Sequence, residues 1–369
     1  MNASLERIAV LVGKELRQVF RDPRMRRVVL VSPIVQLIVF GYAVQTDIRD
    51  TSTYVVDLDQ TRASRELVEA FTASGRFAVT GRSDRAADLV RALDHGDAIV
   101  GLEIPRGFGR DVAEGSGARV QVVLDGTTSN TATIARGYAE RIVLAYGART
   151  NAQFVPPVDL RERAWFNPDL ASRNYNVPAV VGAILMLICL LLTALAVVRE
   201  REIGTLEQLM ASPLRPGELI AGKTIPFGLL GFLDLGLVTA VALLWFHVPF
   251  EGSVLLYLGA SALYLLSGLG LGLLVSTVSS TQQEAFMATF LLFMPTMLLS
   301  GFLFPVRSMP EVFQWLTLVN PLRHYLEIVR GIFLKGAGAR ELWPQLAALA
   351  AMGAGLLTLA ATRFHKRLG

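Results

Sequence analysis

The chain has 369 residues, 52% of them hydrophobic and 18% charged, with a mean hydropathy of +0.46. That is too apolar for an ordinary soluble domain and too charged for membrane spans alone, so a membrane protein with a polar insert is expected. The net charge of +4 is small and the basic excess sits beside apolar runs, which does not point to nucleic acid; the one cysteine, Cys189, excludes an intramolecular disulfide.

Residues 1–27 read as a cytoplasmic amphipathic interface helix. Leu5, Ile8, Ala9, Val12, Leu16, Val19 and Phe20 share one face, and Glu6, Arg7, Lys14, Glu15, Arg17 and Gln18 cover the rest. Asp22-Pro23 ends the pattern, and Arg21, Arg24, Arg26 and Arg27 surround that end. Residues 28–45 form a first transmembrane helix near the lower length limit, with Pro33 and Gln36 inside it. No small-residue cleavage site follows, so the segment reads as an uncleaved anchor whose basic flank places the N-terminus in the cytoplasm.

Residues 46–176 carry frequent charges of both signs and no span-length apolar run. Strand patterns at Tyr54–Val56, Phe77–Val79, Ala98–Ile104 and Val120–Leu124 alternate with helical ones at Ser64–Ala73, Ala86–Leu93 and Ser129–Arg149. The alternation predicts a small inserted α/β domain, extracytoplasmic under the topology below. Asp57, Asp59 and Asp125 follow strands; turn chemistry accounts for them better than a metal site.

Residues 177–369 predict five further spans: Val177–Val198, Ile225–Val248, Val254–Val278, Ala285–Phe304 and Leu342–Thr362. The fold class is therefore an α-helical polytopic membrane protein with six transmembrane helices. Six spans return both later basic clusters, Arg199/Arg201/Arg215/Lys223 and Arg363/Lys366/Arg367, to the cytoplasmic side. Ser267, Gly268, Gly270 and Gly272 give the fourth span a small-residue face. Asp234 is the one acid well inside a span, a candidate for a substrate pathway or else a buried carboxyl bonded to a neighbour. Glu284 falls at an exposed turn. Residues 305–340 are too polar to span and too apolar for a free loop, and predict an external re-entrant hairpin around Asn320-Pro321, with Arg323, Glu327 and Arg330 facing outward or a partner.

The longest polar break in this half runs from Arg199 to Thr224. Residues 199–212 predict a short cytoplasmic helix with Ile203, Leu206 and Met210 on one face, stopped by Pro213 and Pro216. A solvated loop helix is the plain reading; a push-point for a soluble partner is the functional one. Gly217, Gly222, Lys223 and Thr224 match the spacing of a phosphate loop, but no buried strand precedes them, so nucleotide binding is not expected. Lys223 reads as a basic residue at the cytoplasmic end of a helix.

The run R-E-x-E-x-G-T-x-E-x-L-x-x-S-P at Arg199 to Pro213, with Gly222-Lys223 after it, resembles the cytoplasmic loop of ABC-2 type permeases. Asn320-Pro321 running to Arg330-Gly331 resembles the segment before their last span, and the order of one span, large external domain and five spans resembles their long subtype, associated with drug and lipid-like export. The resemblance implies a permease without catalysis, cofactor or metal of its own. It implies an ATP-binding cassette ATPase subunit as partner, a second permease as homo- or heterodimer, and, often in this family, a periplasmic adaptor and outer-membrane channel, all at the bacterial inner membrane. Glu200, Glu202, Gly204, Thr205 and Glu207 match the ATPase-coupling positions. A non-transport envelope scaffold or sensor is the alternative. An intramembrane hydrolase is less favoured, since the spans hold no paired acids or Glu-His helix motif.

Overall fold

The computed structural model describes residues 3–44, 50–127, 129–150, 165–167, 171–205 and 216–366. The chain divides into two compact units, one of residues 1–45 and 164–369 and the other Thr46–Arg163. The boundary after the insert thus falls at residue 163, ahead of the expected 176.

The inserted unit is α/β. Strands β1 (Thr51–Asp57), β2 (Phe77–Ser83), β3 (Val100–Ile104) and β4 (Gln121–Leu124) form one sheet in the order β2-β1-β3-β4. β1 pairs in parallel with β2 and β3, through the crossover helices α4 (Arg62–Ala73) and α5 (Ala86–Asp94), and β4 returns antiparallel to β3. Val100, Leu102 and Ile104 alternate onto one face of β3. There they meet Leu67 and Phe71 of α4, Phe108 of α6 (Phe108–Glu114) and Ala135, Ala139 and Tyr146 of α7 (Ser129–Thr150).

The acids after β1 do turn chemistry. Asp57 Oδ1 accepts from the N–H groups of Asp59 (3.0 Å) and Gln60 (2.8 Å), and its Oδ2 from Ser64 Oγ (2.7 Å). Asp59 accepts from the N–H groups of Gly107 and Gly109, both at 2.8 Å, and from Thr61 Oγ1 at 2.6 Å. Burial opposes the Asp59 charge, but the Thr61 hydroxyl and those N–H groups outweigh it and hold its carboxyl below the usual range. Among the described residues no group of three or more His, Cys, Asp or Glu is placed to hold a metal.

The other unit is helical. It opens with α1 (Ala3–Arg21), α2 (Pro23–Leu30) and α3 (Ser32–Ala43); the expected first span is broken at Val31, two residues ahead of Pro33. Then follow α8 (Ser172–Ile203), α9 (Pro216–Leu244), α10 (Val254–Val278), α11 (Gln282–Leu298), α12 (Glu311–Thr317), α13 (Pro321–Lys335) and α14 (Ala339–Lys366). Among the described residues five segments are long and apolar enough to cross a bilayer: Met25–Ala43, Ser172–Ile203, Gly217–Leu244, Val254–Val278 and Ala339–Arg363. The expected span Ala285–Phe304 is a shorter helix of 17 residues that stops at Leu298, three residues beyond Pro295.

α8 is the axis of this unit, buried along most of its length. α10 packs on it through small residues: a Cβ at Gly272 would stand 2.8 Å from Thr193 Cβ and 2.9 Å from Leu190 O. On its other side Gly270 admits Leu356 of α14. Tyr264 of α10 and Tyr325 of α13 stack at 3.9 Å; Tyr264 donates to Gly182 O at 2.8 Å, and Tyr325 shares a 2.8 Å hydrogen bond with Ser261. These bonds satisfy two buried hydroxyls and fix α13 against α8 and α10.

Candidate functional site

Around the polar break the structure builds a buried charge joint from three helices. The stripe of α1 that meets protein is not purely apolar. Leu11, Glu15 and Val19, one helical turn apart, are its buried members. Glu15 is 4% exposed, so its expected place on the polar face is wrong. It is drawn in by Lys223 of α9, also buried, which donates to Glu15 Oε1 at 2.6 Å. The same ammonium approaches Glu200 Oε2 of α8 at 2.6 Å, a charge contact without hydrogen-bond geometry. Lys14 donates to Glu200 Oε1 at 3.0 Å and lies 3.7 Å from Glu15 Oε1. Two cations and two anions thus neutralise each other. Lys14 is half-exposed; partial burial works against its charge, but Glu200 and Glu15 prevail and hold its ammonium above the usual lysine range.

Gly222 is why α1 comes so close. A Cβ there would stand 2.7 Å from Leu11 Cδ1 and 2.9 Å from Leu11 Cβ. The phosphate-loop spacing has a structural origin: Gly217 to Thr224 lie in the first turns of α9, a helix and not a loop, with Gly222 seating α1 and Lys223 binding its acid. Lys223 is therefore an interior ion-pair partner rather than a flanking charge. Arg7 of α1 adds a second tie, 3.6 Å from Glu218 of α9.

The expected separate helix over 199–212 does not begin at Arg199. α8 runs through to Ile203, so Glu200 and Glu202 occupy its last turn. Gly204 stops it with a left-handed φ of 78°, and Thr205 Oγ1 donates back to Glu200 O at 3.3 Å. Ile203 is 63% exposed, with no apolar partner for a stripe among the described residues. Glu202 is exposed and accepts from Gln282 Nε2 at 2.8 Å, and Arg201 donates to the carbonyls of Ser276 (3.0 Å) and Ser279 (2.7 Å). The end of α8 is thereby tied to the turn between α10 and α11. Leu206, Glu207, Met210 and Pro213 lie outside the described residues. Of the five coupling candidates, then, Glu200 is an internal ion pair, Gly204 and Thr205 form the helix terminus, and Glu202 alone among the described ones presents a carboxylate outward.

The other candidates sit apart. Asp234 is fully buried in α9, and neither carboxylate oxygen has a hydrogen-bond partner among the described residues. Asn320 caps α13, accepting from Leu322 N–H at 3.0 Å and donating to Thr296 O at 2.7 Å, and Pro321 starts the helix. Of the three charges expected to face outward or a partner, Glu327 is exposed and Arg323 and Arg330 are partly buried. Arg323 donates to Thr317 Oγ1, and Arg330 donates to Gly301 O at 3.2 Å and lies 3.6 Å over the Tyr175 ring. Tyr325, Ile328, Val329 and Ile332 of α13 are buried, and Val312, Phe313, Trp315 and Leu316 of α12 are exposed.

A bundle of span-length helices, an α/β insert between its first two apolar segments and charged helix ends gathered at one loop define a multi-pass membrane protein. The profile of the ABC-2 family transporter proteins matches residues 26–362, and the chain belongs to that family. It is 33% identical over 353 residues to the probable multidrug ABC transporter permease YbhR of Escherichia coli, covering 94% of this chain and 96% of that one. The probable multidrug ABC transporter permease YbhS of the same organism is 34% identical over 339 residues, 90% of each chain, and the inner membrane transport permease YhhJ is 30% identical over 362 residues, 96% of each.

Proposed function

We propose that the chain is the membrane half of an exporter. It moves a hydrophobic or amphipathic substrate, drug-like or lipid-like, out of the cytoplasm or the inner membrane. ATP is hydrolysed on a separate ATP-binding cassette subunit that docks at Glu202 to Glu207 and the helix ends around them. Six spans cross the membrane, with α11 as the fifth, both termini and the loop in the cytoplasm, and the α/β unit outside. A second permease completes the pathway, and the α/β unit is the part a periplasmic adaptor and outer-membrane channel would meet. The multidrug names of the relatives support the substrate class.

The observation that carries this reading is the charge joint. It fastens α1 to the end of α8 and the start of α9, the two helices that enter and leave the loop. A push on the loop then moves three helices together instead of bending one. Thr205→Trp tests it, because Gly204 cannot serve: any side chain there is strained by its positive φ. The variant, inserted in membranes at wild-type level, is expected to lose co-purifying ATPase and substrate-stimulated hydrolysis. Full ATPase binding with full coupled hydrolysis would remove the loop as the docking site.

A further inference from the structure

The sheet of the α/β unit has two unequal faces. α4, α6 and α7 cover one. On the other, among the described residues, α5 lies against β1 and β3, with Leu89 over Gly101: a Cβ there would stand 2.8 Å from Leu89 Cδ2. Beside α5, toward the edge strand β4, an open groove of about 840 Å3 remains. Register puts Val123 opposite Gly101 and Gln121 opposite Glu103, so these side chains alternate onto this face and form the floor. Leu89 and Leu93 make an apolar wall, and Asp94 and Asp125 stand at one end.

The lining carries three acids and no lysine or arginine. Glu103 is half-buried in the floor, and its carboxylate has no hydrogen bond or ion pair among the described residues. Asp125 accepts from the Thr127 N–H at 2.9 Å, which holds its carboxyl below the usual range and keeps it ionised at neutral pH. The nearby Arg91 is engaged by Asp88. A groove of this size suits one drug-sized molecule. An anionic occupant would repel Glu103 and an apolar one would strip its water and return nothing, whereas a cation compensates its charge as well as its lost hydrogen bonds.

We propose that this groove binds an organic cation with an apolar body, its charge against Glu103 and its body on Leu89, Leu93 and Val123. The site is a property of the α/β unit alone and is read without any ATPase present, so failure of the export reading leaves it standing. The test uses the full chain in nanodiscs of zwitterionic lipid, with ethidium as the probe, fluorescence as the readout and empty nanodiscs as the blank. Saturable binding above the blank is expected. Glu103→Gln, nearly isosteric, should weaken it about tenfold, the loss of one charge-assisted contact. Val123→Trp, which fills the floor, should abolish it. Glu69→Gln, the same charge change at an exposed position of α4, should leave it unchanged. If Val123→Trp fails to fold, the pair Glu103→Gln and Asp125→Asn takes its place, with a loss beyond the single variant expected. No saturable binding, wild-type binding by Glu103→Gln, or equal weakening by Glu69→Gln would overturn the proposal. The first of these would also be met if a protein strand pairing with β4 were the true occupant.

Discussion

Lys223 sets one ammonium against two carboxylates in a place nearly closed to water. Desolvating three charges costs several kcal/mol each, and only their close contacts and the fourth charge on Lys14 offset it. Breaking such a set on one side should therefore do more harm than removing the charge from both sides. Lys223→Met leaves Glu15 and Glu200 buried with Lys14 alone to answer them, and should cost about 3–5 kcal/mol, read as a lowered thermal midpoint of the purified chain. Lys223→Met combined with Glu15→Gln should recover part of that loss. A single variant as stable as wild type would mean that the joint contributes nothing. None of this was legible locally. A helical wheel places Glu15 with the polar residues because the wheel contains no Lys223, which is 208 positions away. The partial burial of Arg330 is hidden in the same way, since its partners Tyr175 and Gly301 are distant in sequence.

Elements were readable where the chain carries its own punctuation. β3 stops before Pro105, β4 before Asp125-Gly126 and β1 at Asp57, and the pattern locates each strand within a few residues of its observed limits. α6 leaves no periodic signal because its seven residues lie between Gly107 and Gly115, too short a run for periodicity to register. The reach of α8 to Ile203 is hidden because hydropathy falls at Arg199, although helix geometry does not require an apolar residue to continue. The spacing of Gly217, Gly222, Lys223 and Thr224 shows how a pattern arises for another reason, here the seating of α1. Gly222→Leu should force α1 off α9 without touching any charge. A cysteine introduced at Leu11 in this background should react with a thiol reagent in permeabilised membranes much faster than Leu11→Cys alone. Cys189 is buried and gives little background. Equal reactivity would show that α1 is not held by this contact.

At the scale of the molecule, α8 is enclosed by protein, while the segments Met25–Ala43 and Ala339–Arg363 keep most of their apolar surface bare within one chain. Those faces suit lipid or a second permease, and hydropathy alone does not separate a core span from a peripheral one. What the sequence did carry at this scale was the order of span, α/β insert and helical bundle, because long apolar runs and a mixed-charge insert are unmistakable in composition. On the proposed reading, the chain is a pathway that a separate ATPase would drive through the joint at the loop. The direct measurement is uptake of fluorescent amphipathic dyes into everted membrane vesicles containing this chain, its partner ATPase, or both. The account predicts ATP-dependent accumulation of at least one dye only when both chains are present, and its loss when the ATPase is disabled for hydrolysis. Accumulation of the same extent in vesicles holding this chain without the ATPase would contradict it.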